Sequence, residues 1–281
     1  MARYSKLIHS TLAVFLGLAL SGANPVYAAY VEASSDMVIN NLRFEFGDPS
    51  ARVQWTDDWY GEVGAHAADS DSTPVDDFNS FLGNDGSVKA EANTTHVSSL
   101  AEYTVLNGDQ IGIDPAAGVT GTTHSDLHLE RPNMQADGFA DSNFDNYFFL
   151  TDTTDPNNFG PVDVLIQMDF AGSIFGSADD EGFFVDITHL ASLLLYDSLT
   201  GVLLASDFFN DSISGTDTTI IHNNRGVVEI PITLNYNTEY WLYAEADSEI
   251  QGYTVPEPNT FLLLFICVPA LFRLSRKQFA T

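Results

Sequence analysis

The sequence predicts an all-β protein, an antiparallel β-sandwich of jelly-roll type, and two observations support this. Between residues 30 and 254, short runs rich in β-branched and aromatic residues alternate with clusters of Gly, Asp, Asn, Ser and Pro. No long stretch has the 3.6-residue apolar period of an amphipathic helix. No fixed-period repeat or clear linker interrupts residues 29–254, so we expect one domain of about 225 residues.

The predicted strands follow these runs in order. In the first half they are Met37–Phe46, Ala51–Trp55, Ser98–Leu106 and Tyr147–Leu150. In the second half they are Val162–Phe170, Gly182–Ile187, Ser192–Tyr196, Val202–Phe209, Val227–Leu234 and Thr238–Ala246. The polar stretches Gly61–Asn84 and Gly118–Asn146 are predicted to be long loops, which are often binding sites.

Two local patterns refine the prediction. In the last strand, the alternation puts Tyr240, Leu242, Ala244 and Ala246 on the core face and Glu239, Trp241, Tyr243, Glu245 and Asp247 on the other. The segment Asp197–Gly201 lies between two apolar runs and predicts a hairpin whose glycine adopts positive φ.

The first 28 residues have the pattern of a signal peptide. Arg3 and Lys6 precede an apolar run, Leu12–Leu20, and small residues follow up to Ala28. We expect cleavage after Ala28. An N-terminal anchor helix is the alternative, but this run is much shorter than the roughly 20 residues that cross a bilayer.

The body between the two ends is strongly acidic. Of the 10 Lys and Arg residues, five lie in residues 29–254, whereas 38 of the 39 Asp and Glu residues do, which gives a net charge of −33. Nucleic acid and anionic lipid are therefore poor partners, and we expect no nucleic-acid binding. The single cysteine, Cys267, lies in the C-terminal tail, so the body forms no disulfide.

The C-terminal tail, residues 255–281, has three features in fixed order. They are the motif Val255, Pro256, Glu257 and Pro258, a hydrophobic helix at 260–272, and a basic end at 273–277 with Arg273, Arg276 and Lys277. This tail resembles the PEP-CTERM sorting signal of Gram-negative bacteria. An ordinary C-terminal membrane anchor is the alternative, because it shares the hydropathy and charge pattern.

The resemblance implies a destination for the chain. An exosortase-type membrane protease would recognise Pro256, Glu257 and Pro258, while Arg273, Arg276 and Lys277 hold the tail transiently in the inner membrane. The mature protein would reach the cell envelope, the outer surface or the extracellular matrix. Association with exopolysaccharide in a biofilm is the expected setting.

Motifs for catalysis are missing from the body. It has no Gly-x-Ser-x-Gly elbow, no His-Glu-x-x-His and no phosphate-binding glycine loop, so we predict that it is not an enzyme. A secreted hydrolase remains an alternative, because it needs only two suitably spaced carboxylates.

A carbohydrate-binding module is the main alternative function. Trp55, Trp59 and Tyr60 lie beside Asp57 and Asp58, and aromatic faces of this kind can stack on a pyranose ring. The competing interpretation is that these aromatic residues belong to the core at a strand end.

Calcium is the one ion that the sequence suggests, and no other cofactor is expected. Its oxygen ligands could come from the acidic segments Asp69–Asp71, Asp76-Asp77, Asp141–Asp145 and Asp179–Glu181, although none has EF-hand spacing. His124 and His128 would share one face of a strand about 13 Å apart, which is too far for one zinc ion.

The processing hypothesis predicts the mass of the mature protein. The chain recovered from the host's membrane and medium fractions should begin near Ala29 and end near Val255–Pro258. Intact-mass measurement with terminal sequencing tests this. A mature chain that retains residues 261–277 would instead be a membrane-anchored protein.

Overall fold

The computed structural model describes residues 30–130, 134–178, 183–215 and 219–254, and it confirms the antiparallel β-sandwich. The predicted signal peptide (1–28) and sorting tail (255–281) lie outside the described residues. Within the part that is described, no helix has the length and apolar character needed to cross a membrane.

Thirteen strands and one short 3-10 helix, Gly108–Gln110, make up the described chain. The strands are β1 Val31–Phe46, β2 Ala51–Trp55, β3 Tyr60–Asp69, β4 Val75–Leu82, β5 Gly86–Asn93, β6 Val97–Leu106, β7 Gly118–Leu129, β8 Gln135–Asp152, β9 Pro161–Ala178, β10 Phe183–Asp197, β11 Leu203–Gly215, β12 Ile220–Asn235 and β13 Glu239–Thr254.

Two sheets pack face to face. The six-stranded sheet has the order β12-β9-β1-β7-β6-β5, and the seven-stranded sheet has the order β11-β10-β13-β8-β3-β4, with β2 also paired to β8. Neighbouring strands within each sheet are antiparallel. The chain crosses between the sheets several times, including at β4 to β5 and at β11 to β12.

Alternate side chains from both sheets fill the core. The largest of those fully buried include Trp59, Tyr103, Phe144 and Phe148. The Tyr103 ring lies directly over the backbone of Gly61, where a Cβ atom would be 2.1 Å from ring carbon Cδ1. A glycine at this position therefore allows the two sheets to approach each other closely.

The two predicted long loops are wrong. Gly61–Asn84 contains most of β3 and all of β4, and Gly118–Asn146 contains β7 and most of β8. Within these two stretches, the inward positions of β3 and β8 are mainly small residues and most outward positions are polar, so neither stretch has an obvious apolar run. The two strands predicted at 182–187 and 192–196 form one continuous strand, β10.

The predicted hairpin at Asp197–Gly201 is confirmed. Gly201 has a φ of +66° between β10 and β11, and the Asp197 carboxylate accepts a hydrogen bond from the main-chain N–H of Thr200 at 2.8 Å. Between β12 and β13, the hydroxyl of Tyr240 accepts a hydrogen bond from the main-chain N–H of Asn235 at 2.9 Å. The buried Tyr240 thereby fixes this crossing between the sheets.

Carboxylates bridge the edge strands on both sides of the sandwich. Asp77 on β4 accepts a hydrogen bond from the main-chain N–H of Glu91 on β5 at 2.9 Å. Asp207 on β11 accepts one from the main-chain N–H of Glu229 on β12 at 2.8 Å. Each bond joins an edge strand of one sheet to an edge strand of the other.

The core predicts a large contrast between two leucines. Leu127 is 1% exposed, whereas Leu199 at the β10–β11 turn is 93% exposed. Leu127→Ala should lower the free energy of unfolding by about 2–5 kcal/mol, and Leu199→Ala by less than about 0.5 kcal/mol. Urea unfolding measures both, and equal losses would contradict the packing.

Candidate functional site

The outer face of the seven-stranded sheet brings aromatic and acidic side chains together. The strand register places Trp241 beside Tyr147 and Tyr196, Tyr243 beside Asp145, Glu245 beside Ser192, and Asp247 beside Asp141. We call Tyr196, Trp241 and Tyr147 the aromatic ladder, and Asp141, Asp145, Glu245 and Asp247 the acidic cluster. Side chains directly opposite each other on paired strands have Cβ atoms about 5 Å apart.

The aromatic ladder runs across three strands. The rings of Tyr196 and Trp241 stack with centroids 4.7 Å apart at 28°, and those of Trp241 and Tyr147 with centroids 6.2 Å apart at 19°. Tyr243 meets Trp241 edge to face at 6.4 Å. The two tyrosines stack against Trp241 from either side, so the ladder offers its ring edges and the outward faces of its end rings.

Asp247 is the most perturbed member of the acidic cluster. Burial, followed by the charges of Glu245, Asp141 and Glu249, raises its pKa from 3.8 to about 8. Like charges directly opposite on paired strands repel each other. At neutral pH the Asp247 carboxyl is therefore largely protonated.

Asp141 lies on β8 between Asp247 and Gly64. Its pKa rises to about 6, because of burial and the nearby charges of Glu245 and Glu62. A Cβ atom at Gly64 would be 2.2 Å from Asp141 Oδ1, so only glycine leaves room for this carboxylate over β3. Gly64 thus leaves the space that the Asp141 carboxylate occupies on the outer face.

The remaining members have incomplete hydrogen bonding. Burial raises the pKa of Asp145, and a contact with Trp241 opposes the rise. Burial also raises the pKa of Glu245, and contacts with Tyr243 and Ser192 oppose that rise. These contacts are looser than regular hydrogen bonds. Three buried polar atoms of the face, namely Ser192 Oγ, Trp241 Nε1 and Asp247 Oδ1, have no hydrogen bond of full geometry.

The aromatic residues predicted to contact sugar lie elsewhere, and two of them are core residues. Trp59 is fully buried and Trp55 is 9% exposed, and their rings contact each other at 4.5 Å. Their indole N–H groups donate to the carbonyls of Gly108 and Ile111, each at 2.9 Å. Neither ring can serve as a stacking platform, so the core interpretation is correct for these two, while Tyr60 is half-buried beside Glu62.

The predicted ion ligands are separated. His124 and His128 both lie on β7, and His124 bonds Asp36 at 2.5 Å and Asp126 at 2.6 Å, which raises its pKa to about 10. Asp141–Asp145 lies in a strand, and residues 179–182 lie outside the described chain. In the described ranges, no three His, Cys, Asp or Glu side chains converge closely enough to hold a metal ion. Structural calcium stays a prediction.

Asp69 illustrates the acidic turns. It accepts hydrogen bonds from Ser72 Oγ at 2.8 Å and from the main-chain N–H groups of Asp71 and His96 at 2.9 and 3.2 Å. Although burial opposes the shift, these bonds and one with Thr94 lower its pKa to about 2. Asp69 therefore stabilises the turn after β3 as a charged carboxylate.

Sequence reasoning missed the assembled site, although part of its signal was visible. Alternation in β13 correctly placed Trp241, Tyr243, Glu245 and Asp247 on one face. Two dispersed features could have completed the set: the Asp, Asn and Asp at alternate positions 141, 143 and 145, and the aromatic Tyr147 that follows. That period of two identifies an outward strand face.

Comparison with models of known protein families and with curated protein sequences finds no match to this chain. The function is therefore argued from the outer face itself.

The acidic cluster predicts how stability depends on pH. The folded protein keeps a proton on Asp247 where the unfolded chain has released it, so this group makes stability fall as pH rises from about 4 to about 8. Asp247→Asn removes the contribution of this group and should stabilise the protein more at pH 8 than at pH 5, relative to wild type. Urea unfolding at both pH values tests this. The prediction is contradicted if the variant and the wild type differ in free energy of unfolding by the same amount at pH 5 and pH 8.

Proposed function

We propose that this chain is an exported, non-catalytic protein of the cell envelope or extracellular matrix that binds polysaccharide on the outer face of its seven-stranded sheet. The observation that carries the proposal is the aromatic ladder lying beside the acidic cluster on an open face. The PEP-CTERM-like tail supports the destination, through processing by an exosortase-type protease.

The chemistry of the face suits a carbohydrate. Tyr and Trp rings pack against the apolar C–H surfaces of pyranose rings, and carboxylates accept hydrogen bonds from sugar hydroxyl groups. An open face also suits a long polymer better than a small ligand, which proteins generally enclose in a concave pocket.

A secreted hydrolase is the second candidate, and the raised pKa values of Asp141 and Asp247 are the observation that favours it. The carboxylates lie on a sheet face, and none of them lines either of two depressions, of about 580 and 370 Å³, elsewhere on the described surface. Binding without cleavage is therefore the better-supported function. Release of reducing ends from a bound polymer would favour the hydrolase.

The proposal predicts that Trp241 is needed for binding. Trp241→Ala should weaken binding to a soluble polysaccharide about tenfold or more, because it removes the ring that holds Tyr196 and Tyr147 in position, and each aromatic stacking contact contributes about 1 kcal/mol or more. Affinity electrophoresis in gels containing single polysaccharides, across neutral, acidic and amino-sugar polymers, measures the effect.

Tyr253→Ala is the matched control. Tyr253 lies on the same strand and the same face, is 46% exposed, and stacks on Phe184 far from the ladder. This variant should bind as wild type does, and circular dichroism should show that both variants are folded. Equal loss in both variants, or no retardation of the wild type by any polymer, would refute the proposal.

A further inference from the structure

We propose that the polymer bound at this face is a cationic amino-sugar polymer whose free ammonium groups pair with the acidic cluster. This inference rests on the polysaccharide-binding function proposed above, and it goes further by naming the substrate class.

The first argument is the absence of cationic side chains around the cluster. None of the strands β3, β4, β8, β10, β11 and β13 contains a Lys or an Arg. Arg52 on β2 belongs to the same sheet, but its Nη1 donates to the main-chain carbonyls of Pro49 and Ala51. The cluster therefore has no internal Lys or Arg counter-charge in the described sheet.

Histidine does not supply the missing charge either. His66 lies on the same outer face of β3, but its two ring nitrogens bond Asp76 at 2.6 Å and Asp137 at 3.1 Å. His189 on β10 points into the core and is 1% exposed. Among the described residues, no cation therefore lies between Asp141, Glu245 and Asp247, and Asp247 keeps its proton in the absence of one.

The second argument is the set of unsatisfied polar atoms. Ser192 is only 6% exposed, and its Oγ makes no regular hydrogen bond, nor does Asp247 Oδ1. An ammonium group carries three donors, and a charge-assisted bond to a carboxylate is about twice as strong as a neutral one. An ammonium bound beside Glu245 would supply donors to its carboxylate and to the Ser192 hydroxyl, which lies opposite it on β10.

The third argument is the position of the ladder. Trp241 and Tyr243 precede Glu245 and Asp247 on the same face of β13, so a sugar chain that contacts the rings would continue over the carboxylates. Cations are also attracted to aromatic ring faces, and the ladder presents the outward faces of Tyr196 and Tyr147. A polymer that carries both an apolar ring surface and an ammonium group matches both halves of the face.

The net charge of the body disfavours anionic polysaccharides. A body with a charge of −33 repels uronate-rich and sulfated polymers. A neutral glucan would leave the acidic cluster without a counter-charge. Of the three classes of polymer, the amino-sugar class alone offers complementary charge.

Three β-1,4-linked hexamers of equal length test the inference, because they differ only at carbon 2: glucosamine, N-acetylglucosamine and glucose. Calorimetry near pH 6 should show that the glucosamine hexamer binds at least about tenfold more tightly than the other two, the free-energy difference expected for one charge-assisted bond. Raising the ionic strength from about 0.05 M to about 0.5 M should reduce this preference.

Two double variants test whether the preference for the glucosamine hexamer depends on the acidic cluster. Glu245→Gln/Asp247→Asn keeps the side-chain shapes and should abolish the preference while leaving weak binding of the glucose hexamer. Glu45→Gln/Glu229→Gln also replaces two carboxylates by amides, on the outer face of the six-stranded sheet, and should keep the preference.

The outcomes separate the two proposals. Equal binding of the three hexamers would overturn the amino-sugar inference but leave polysaccharide binding intact. A preference that survives in Glu245→Gln/Asp247→Asn would reflect the overall charge and would also overturn it. Failure of all three hexamers and of the longer polymers to bind would refute the proposed function itself.

Discussion

Burial of alternate side chains between the two sheets is the interaction on which the rest of the molecule depends. The body has no cysteine, so no disulfide contributes to its stability, and its high negative charge opposes compaction. Contacts such as Tyr103 over Gly61 and the packed rings of Trp55, Trp59 and Phe148 must therefore hold the sheets together. Successive side chains of a strand point to opposite faces, so each residue that packs inward directs its two neighbours outward. The same packing therefore decides which side chains reach the surface.

This coupling explains what the sequence could predict. The later strands were recognised because apolar residues recur at alternate positions, as Val228, Ile230 and Ile232 do in β12, and the core face of each strand follows directly. In β3 and β8 the inward positions hold Gly61, Ala65, Ala140 and Ser142, which are too small to produce a hydrophobic signal. Their outward Asp and Asn residues have the composition of turns, and this produced the two incorrect loops.

The candidate site required one further piece of information, the register between strands. Asp141 and Asp247 are separated by more than 100 residues, yet they lie opposite each other across β8 and β13. Nothing local in either segment specifies that pairing, which depends on the whole order of the sheet. The same limit applies to Trp59: its neighbourhood indicates an aromatic cluster, but only the position of β3 in the sheet shows that the ring lies inside.

The carboxylate bridges at Asp77 and Asp207 affect how copies of the chain behave when crowded. An edge strand with free N–H groups can recruit another strand and start a fibril, and in this protein two such groups, one on β5 and one on β12, are already bonded across the sandwich. Bringing a second copy alongside would require breaking these bonds and placing its own acidic edge against them. These two bonds therefore disfavour strand addition at the β5 and β12 edges when many copies of the chain lie close together.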